Sequence, residues 1–341
     1  MTKVYFGGPD RPPGALAGLL RSRIDAVPEG GEIHWVTYYF GNVDLARALL
    51  EAKRRGVRVR LDIESRPRRP EVNTQVLRLL GGKAGLADGL RAVRHVLPCH
   101  LHEKLYFFSH PVPVVYLGSY NPSRGAIDSP ELLGDIGDQD RGHNFLVEIA
   151  AVPAVAFVRA HLNAMHHGSH GVLERFSSDL NAAYDTPELG IWFFPRRRSD
   201  IVLTALRQAA ADRIRIAASH FRDGSMARLL ARLAGVGVKI EILAHDTLRR
   251  VPQRVERTLQ SAGIVFTRYS HSEGLPMHNK FMLLEGRAKR SVLFGSFNLT
   301  RTSRWLNHEI LLHSYDPDLF SAFASRWDEM KAEVAAHGGS P

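Results

Sequence analysis

The chain has 341 residues, 44% hydrophobic and 23% charged, with a formal net charge of +10. That length is long for one domain and short for three, and the composition excludes a disordered or low-complexity polymer. A single cysteine, Cys99, excludes an intramolecular disulfide, and no run of about 18 apolar residues is present to cross a bilayer. The opening MTKVYFGG lacks the apolar stretch of a secretory leader, so a cytoplasmic location is expected. The cationic excess favours anionic partners: nucleic acid, an acidic membrane surface or a phosphorylated substrate.

In chain order, Gly7-Gly8-Pro9 reads as a turn, because no lysine or helix follows in register to make a phosphate loop. Residues 33–39 form an apolar, β-leaning run, and Asn42 or Asp44 is placed to cap a helix with Leu45, Leu49 and Leu50 on one face. Gly56 ends that helix, and 57–61 alternate like a strand. Arg54, Arg55, Arg58, Arg60, Arg66, Arg68 and Arg69 make this unit basic, a solvated face that could also guide a polyanion. Trp35 and Phe40 read as core, whereas Tyr38 or Tyr39, at a strand end, could line a pocket. His102-Glu103-Lys104 then leads an apolar strand over 105–108, and a second over 114–117 runs into Gly118-Ser119-Tyr120-Asn121. An acidic loop over 127–140 precedes Asn144. The cluster His166-His167-Gly168-Ser169-His170 invites a metal, but no cysteine or carboxylate completes it at a recognised spacing, so it reads as linker.

The same plan then recurs. Without a gap, Phe40 aligns with Phe221, Ala46-Arg47 with Ala227-Arg228, Leu49 with Leu230 and Gly56-Val57 with Gly237-Val238. Asp223 or Ser225 is the cap, Met226, Leu229, Leu230 and Leu233 the helical face, and 238–242 the alternating strand. His278-Asn279-Lys280 leads an apolar strand over 281–284, and 292–294 runs into Gly295-Ser296-Phe297-Asn298. A βαβ unit occurring twice implies two α/β lobes with mainly parallel strands, divided as 1–167, a linker over 168–198, and 199–341.

Residues two apart on a strand project to the same face, so each His and Lys pair points at one spot. Gly-Ser-x-Asn adds a tight backbone, a hydroxyl and an amide nearby. Two such sets would surround one anion with two imidazoles, two ammonium groups and two amides, a fitting cage for a phosphodiester whose charge grows towards a trigonal-bipyramidal transition state. A lysine leading a buried-looking strand is unusual without an anionic partner.

The paired motifs resemble the phospholipase D superfamily, whose signature is His-x-Lys, four residues, then Asp, followed by Gly-Ser-x-Asn. The match at 278–300 is close and is also similar to the small bacterial nucleases of this superfamily; the resemblance spans 33–327. It implies two pseudo-twofold-related α/β/α lobes with mixed, mainly parallel sheets, and His102 and His278 facing one phosphate. It further implies His102 as the nucleophile that forms a phosphohistidine and His278 as the general acid, then base, with Glu309 fixing its tautomer. Lys104, Lys280, Asn121 and Asn298 would bind the nonbridging oxygens, and Ser119, Ser296 and Asn144 would contact substrate or imidazole, with no metal or other cofactor. The family aspartate falls at Ser109 and Glu285, and the family glutamate falls in the first half at Asn144, with Glu148 as a second candidate. Tyrosyl-DNA phosphodiesterases also lack the motif aspartate and use an amide in the first half. The expected activity is hydrolysis or phosphatidyl transfer at a phospholipid-type phosphodiester. A nuclease is the alternative, favoured by the charge and by 278–300, and a weakly active anion-binding module is the third, suggested by Ser109 and Asn144. The expected partner is an anionic phosphodiester, phospholipid or nucleic acid, compatible with peripheral membrane contact; oligomeric state is not encoded legibly.

Overall fold

The computed structural model describes residues 2–95, 99–123, 134–168, 171, 176–177, 180–196, 200–209, 211–287 and 289–336. The chain divides into two compact units, 1–182 and 183–341.

The first unit is built on seven strands, β1 (Lys3–Gly7), β2 (Glu32–Thr37), β3 (Arg58–Glu64), β4 (Leu90–Val93), β5 (Leu105–Phe108), β6 (Val114–Gly118) and β7 (Asn144–Ile149). Its helices are α1 (Ala15–Asp25), α2 (Val43–Arg54), α3 (Glu71–Leu80) and α4 (Val152–His167). The second unit contains β8 (Ala183–Asp185), β9 (Leu189–Phe194), β10 (Arg213–Ala218), β11 (Lys239–His245), β12 (Val265–Tyr269), β13 (Lys280–Glu285), β14 (Arg290–Gly295) and β15 (Glu309–Ser314). Its helices are α5 (Ile201–Gln208), α6 (Gly224–Gly235), α7 (Gln253–Gln260), α8 (Arg301–Trp305) and α9 (Pro317–Ala336).

The two sheets share one strand order. The first runs β4-β3-β2-β5-β6-β7-β1, and the second runs β12-β11-β10-β13-β14-β15-β9, with β8 added at its edge. The repeat seen in the sequence therefore extends over both sheets, and the α/β class expected from it is the class observed. The balance of strand directions is different from the expectation. Only β2–β3, β3–β4, β10–β11 and β11–β12 are parallel among the described strands, and the remaining pairs are antiparallel. The βαβ units supply the parallel pairs, whereas the two motif strands of each half are joined by short hairpins, which antiparallel pairing alone allows.

The segment 168–198, expected as a linker, contains β8 and β9. β9 pairs with β15 as β1 pairs with β7, so the second repeat begins inside the expected linker. Pro187 and Gly190 give this segment a loop-like sequence. Gly190 answers to packing instead, since a Cβ there would lie 2.1 Å from the Trp192 ring. Arg197 and Arg198, which make the end of this segment basic, lie outside the described residues.

Local chemistry explains the shared βαβ geometry. Asn42 accepts from the Leu45 N–H at 2.9 Å, and Asp223 accepts from the Ser225 and Met226 N–H groups at 2.9 and 3.4 Å, which caps α2 and α6. Gly56 and Gly237 follow the helices at φ 88° and 96°, a region that favours glycine. Ile33 and Trp35 of β2 enter the core shared with α1 and α2, while His34 turns to the opposite face, under α4. Every residue of β2 is buried, as expected of a strand covered on both faces. In the second unit, Ile214 and Ile216 join the core with α6, and Phe281 and Phe294 stack on Phe323 of α9.

Candidate active site

Each sheet gathers its motif residues at one end through strand register. Leu105 pairs with Leu117, which carries Lys104 opposite Gly118; Phe281 pairs with Phe294, which carries Lys280 opposite Gly295. The glycines are there for space. A Cβ on Gly118 would sit 2.3 Å from the Phe145 carbonyl oxygen, and one on Gly295, at φ 147°, 2.3 Å from that of Ile310.

Both lysines are buried, Lys104 at 0% exposure and Lys280 at 5%. Each ammonium donates to the carbonyl of the histidine two residues earlier, at 2.6 Å to His102 and 2.7 Å to His278. The middle residue of each motif points to the other face. Glu103 meets His161 of α4 at 2.9 Å, and Asn279 donates to the Met330 sulfur of α9 at 3.3 Å. The alternation that aims His and Lys together thus also fastens the motif to the helix behind it.

The Gly-Ser-x-Asn turns are built alike. Ser119 receives the Phe145 N–H at 3.1 Å and Ser296 the Ile310 N–H at 3.0 Å. The Pro122 carbonyl accepts from Gly41 and Asn42, as the Leu299 carbonyl accepts from Arg222 and Asp223. The loop after β2 or β10 thereby clamps the turn that presents Asn121 or Asn298.

The halves differ in what backs the serine. Ser296 donates to Glu309 at 2.6 Å, and Glu309 also receives Ser303 at 2.7 Å and Asn307 at 3.4 Å. Ser119 donates to Asn144 at 3.3 Å, and Asn144 donates to the Gln139 carbonyl at 2.6 Å. Asn144 and Glu309 hold the same register, each two residues before the partner of the motif glycine, Leu146 or Leu311. Glu148 lies farther along β7, engaged by Tyr5, Tyr116 and Arg23.

Ser109 and Glu285 lie at the far ends of the motif strands, five residues or roughly 16 Å from the lysines. Ser109 accepts from the Glu32 N–H at 2.7 Å, and Glu285 pairs with Arg215 at 3.0 Å. Neither position belongs to the His-Lys-Asn end of its sheet, so departure from aspartate there leaves that end intact.

Further contacts join the motif residues at this end. Tyr38 places its ring 5.2 Å from that of His102 and 5.7 Å from the Lys104 ammonium. Asn121 donates to Gln139 at 3.4 Å and accepts from the Tyr39 N–H at the same distance. Glu64, at the end of β3, accepts from the Leu101 N–H at 2.7 Å. Burial would raise its carboxyl, but hydrogen bonds from His100 and from the Arg66 and Leu101 backbone hold it below its ordinary value. The matching end of β11 carries His245, whose imidazole is pushed down by burial and by the Arg250 and Lys280 charges, against the opposing pull of Asp246. Of the basic run, Arg68 and Arg69 pair with Asp135 at 2.8 and 2.7 Å, and Arg60 with Glu32 at 3.5 Å.

Two α/β units of one topology, each with His-x-Lys and Gly-Ser-x-Asn at the same sheet end, define a phospholipase D-like enzyme. The family model described as "Cardiolipin synthase, PLD-like domain" matches residues 29–134 and 202–331, and the chain belongs to this family. Among solved structures, phosphatidylserine synthase from Haemophilus influenzae Rd KW20 is similar with a TM-score of 0.67 and 12% identity, over 96% of this chain and 85% of that one. Polyphosphate kinase from Porphyromonas gingivalis gives 0.64 and 15%, over 97% of this chain and 50% of that one, so the chain spans half the length of the kinase. A yeast tyrosyl-DNA phosphodiesterase variant gives 0.52 and 8%, over 92% of this chain and 90% of that one. At such identities the likeness is one of fold. No curated protein matches the sequence.

Proposed function

We propose that the chain cleaves or exchanges phospholipid-type phosphodiesters through a phosphohistidine, with both half-sites acting on one phosphate. The observation that carries this reading is the doubled constellation with its two buried lysines. Each is an ammonium removed from water, which calls for an anion, and family membership supplies the phosphodiester. The family description, and the phosphatidyl chemistry named for a protein of the same fold, favour a lipid substrate over a nucleic acid.

In this mechanism a ring nitrogen of His102 attacks phosphorus, the P–O bond to the leaving alcohol breaks, and His278 gives that oxygen its proton. His278 then takes a proton from water or an acceptor alcohol, whose oxygen displaces His102. Lys104, Lys280, Asn121 and Asn298 hold the nonbridging oxygens, with Ser119, Ser296 and Asn144 bracing the two turns. Glu309 fixes the tautomer of His278 and favours its protonated form. The lysines supply the charge that a metal supplies elsewhere, so the chemistry runs without one.

The test is product analysis with phosphatidylcholine and phosphatidylglycerol vesicles and with single- and double-stranded DNA, all in EDTA. Phosphatidate or a headgroup-exchanged lipid is expected, with DNA intact. Cleaved DNA with untouched lipid would make the protein a nuclease, which its charge of +10 would suit. Turnover abolished by EDTA and restored by Mg²⁺ or Zn²⁺, with Tm unchanged by the chelator, would overturn the mechanism.

A further inference from the structure

The ligand set missing along the sequence around His166 is assembled by the fold. His166 and His167 lie not in a linker but in the last turn of α4; Ser169 and His170 lie outside the described residues. His34 of β2 and Asp62 of β3 share the sheet face that α4 covers, because Val36 pairs with Asp62 and His34 stands two residues from Val36. His34 Nε2 lies 2.8 Å from Asp62 Oδ2, and His166 Nδ1 lies 3.1 and 3.2 Å from the two Asp62 oxygens. The three donor atoms fall within 4.8 Å of one another, and all three residues are buried.

The hydrogen-bond directions are the telling feature. His166 Nε2 is 3.1 Å from the Asp88 carbonyl and Nδ1 faces the Asp62 carboxylate; both are acceptors, and the single N–H of a neutral ring serves only one of them. With that N–H given to the carbonyl, the Nδ1 lone pair faces a carboxylate. Two acceptors at that separation repel unless a cation lies between them. Either a second proton or a metal ion meets the requirement. The contact from His166 to a backbone carbonyl is the outer-shell arrangement that orients ligating histidines.

We propose that His34, Asp62 and His166 bind one divalent cation of the zinc class, which locks α4 onto β2 and β3. Two imidazoles and one carboxylate suit zinc better than magnesium or calcium, which prefer all-oxygen shells. At zinc bond lengths, tetrahedral neighbours stand roughly 3.4 Å apart, against the 2.8 Å from His34 to Asp62 and the 3.1 and 3.2 Å from His166 to Asp62, so both rings draw back from the carboxylate to admit the ion. A cavity of about 430 Å³ reaches His166 and His167 and is lined also by Asp88, Lys53, Arg58, Arg60 and Arg91. α4 also holds Glu103 through His161, so the ion braces the helix behind His102-x-Lys104 and takes no part in the chemistry.

The full chain, stripped with chelator and returned to chelator-free buffer, is titrated with zinc alone, and retained metal is measured after gel filtration. One equivalent per chain is expected, with a rise in Tm. Asp62→Asn and His166→Gln should each lower retention at least tenfold, and His167→Gln should retain the full equivalent. An anomalous diffraction peak at the zinc edge between the three donor atoms reads the site without any variant, should either fail to fold. No retained zinc, retention unchanged in both variants, or an anomalous peak only elsewhere overturns the proposal.

Discussion

Lys104 donates to the carbonyl of His102, and Lys280 to that of His278, so each ammonium is held against the backbone that carries its own histidine. Removing either should weaken stabilisation of the transition-state charge by about 10²- to 10³-fold in turnover, with Tm little changed or raised. Ser109→Asp restores the family residue at the far end of β5 and should leave turnover within about threefold, as a change remote from the site. Steady-state assays of the two variants side by side check both statements; a large gain in Ser109→Asp would show that the departure from aspartate had mattered. Such positions are legible in the sequence because strand alternation fixes which residues share a face. Gln139 and the Glu103–His161 contact are not legible, because tertiary packing supplies their partners from distant segments. His166 is the sharpest case: it reads as linker until β2 and β3 bring a histidine and a carboxylate to it.

At the scale of elements, the motif glycines matter more than their neutral chemistry suggests. Gly118→Ala would force a Cβ to 2.3 Å from a backbone oxygen, and Gly295→Ala would add a strained φ to the same clash. Each should destabilise the fold by about 2–4 kcal/mol and lower activity with it, measured by denaturant unfolding and turnover. The βαβ units declared themselves through caps, helical periodicity and terminal glycines. α4 did not, because His161 and His166 sit on its buried face and break the apolar stripe that marks an amphipathic helix. β9 is hidden in the sequence by Pro187 and Gly190, whose loop-like character says nothing of the Trp192 ring that packs against Gly190.

For the whole molecule, duplication explains why so few residue types carry so much of the reading: one strand order and one set of turns recur in both units. No helix among the described residues is long and apolar enough to cross a membrane. Acid should be destabilising. Burial pushes His313 in the second unit from 6.5 down to about 4, so the folded state prefers the neutral ring. Its contribution to stability is complete above about pH 6.5 and is lost as the pH falls towards about 4, amounting to roughly 3 kcal/mol at most. His313→Gln should flatten the fall in Tm over that window; an unchanged slope would assign the acid sensitivity elsewhere. The central claim is covalent catalysis at a histidine, and rapid-quench trapping tests it most directly. With a p-nitrophenyl phosphodiester, whose leaving group needs little protonation, the His278→Asn protein should form an adduct it cannot resolve, and peptide mapping should place an acid-labile phosphate on His102, with steady-state turnover down at least about 10²-fold. An adduct on His278 in the His102→Asn protein, with none on His102 in the His278→Asn protein, would reverse the roles, and wild-type turnover in both variants would contradict the account.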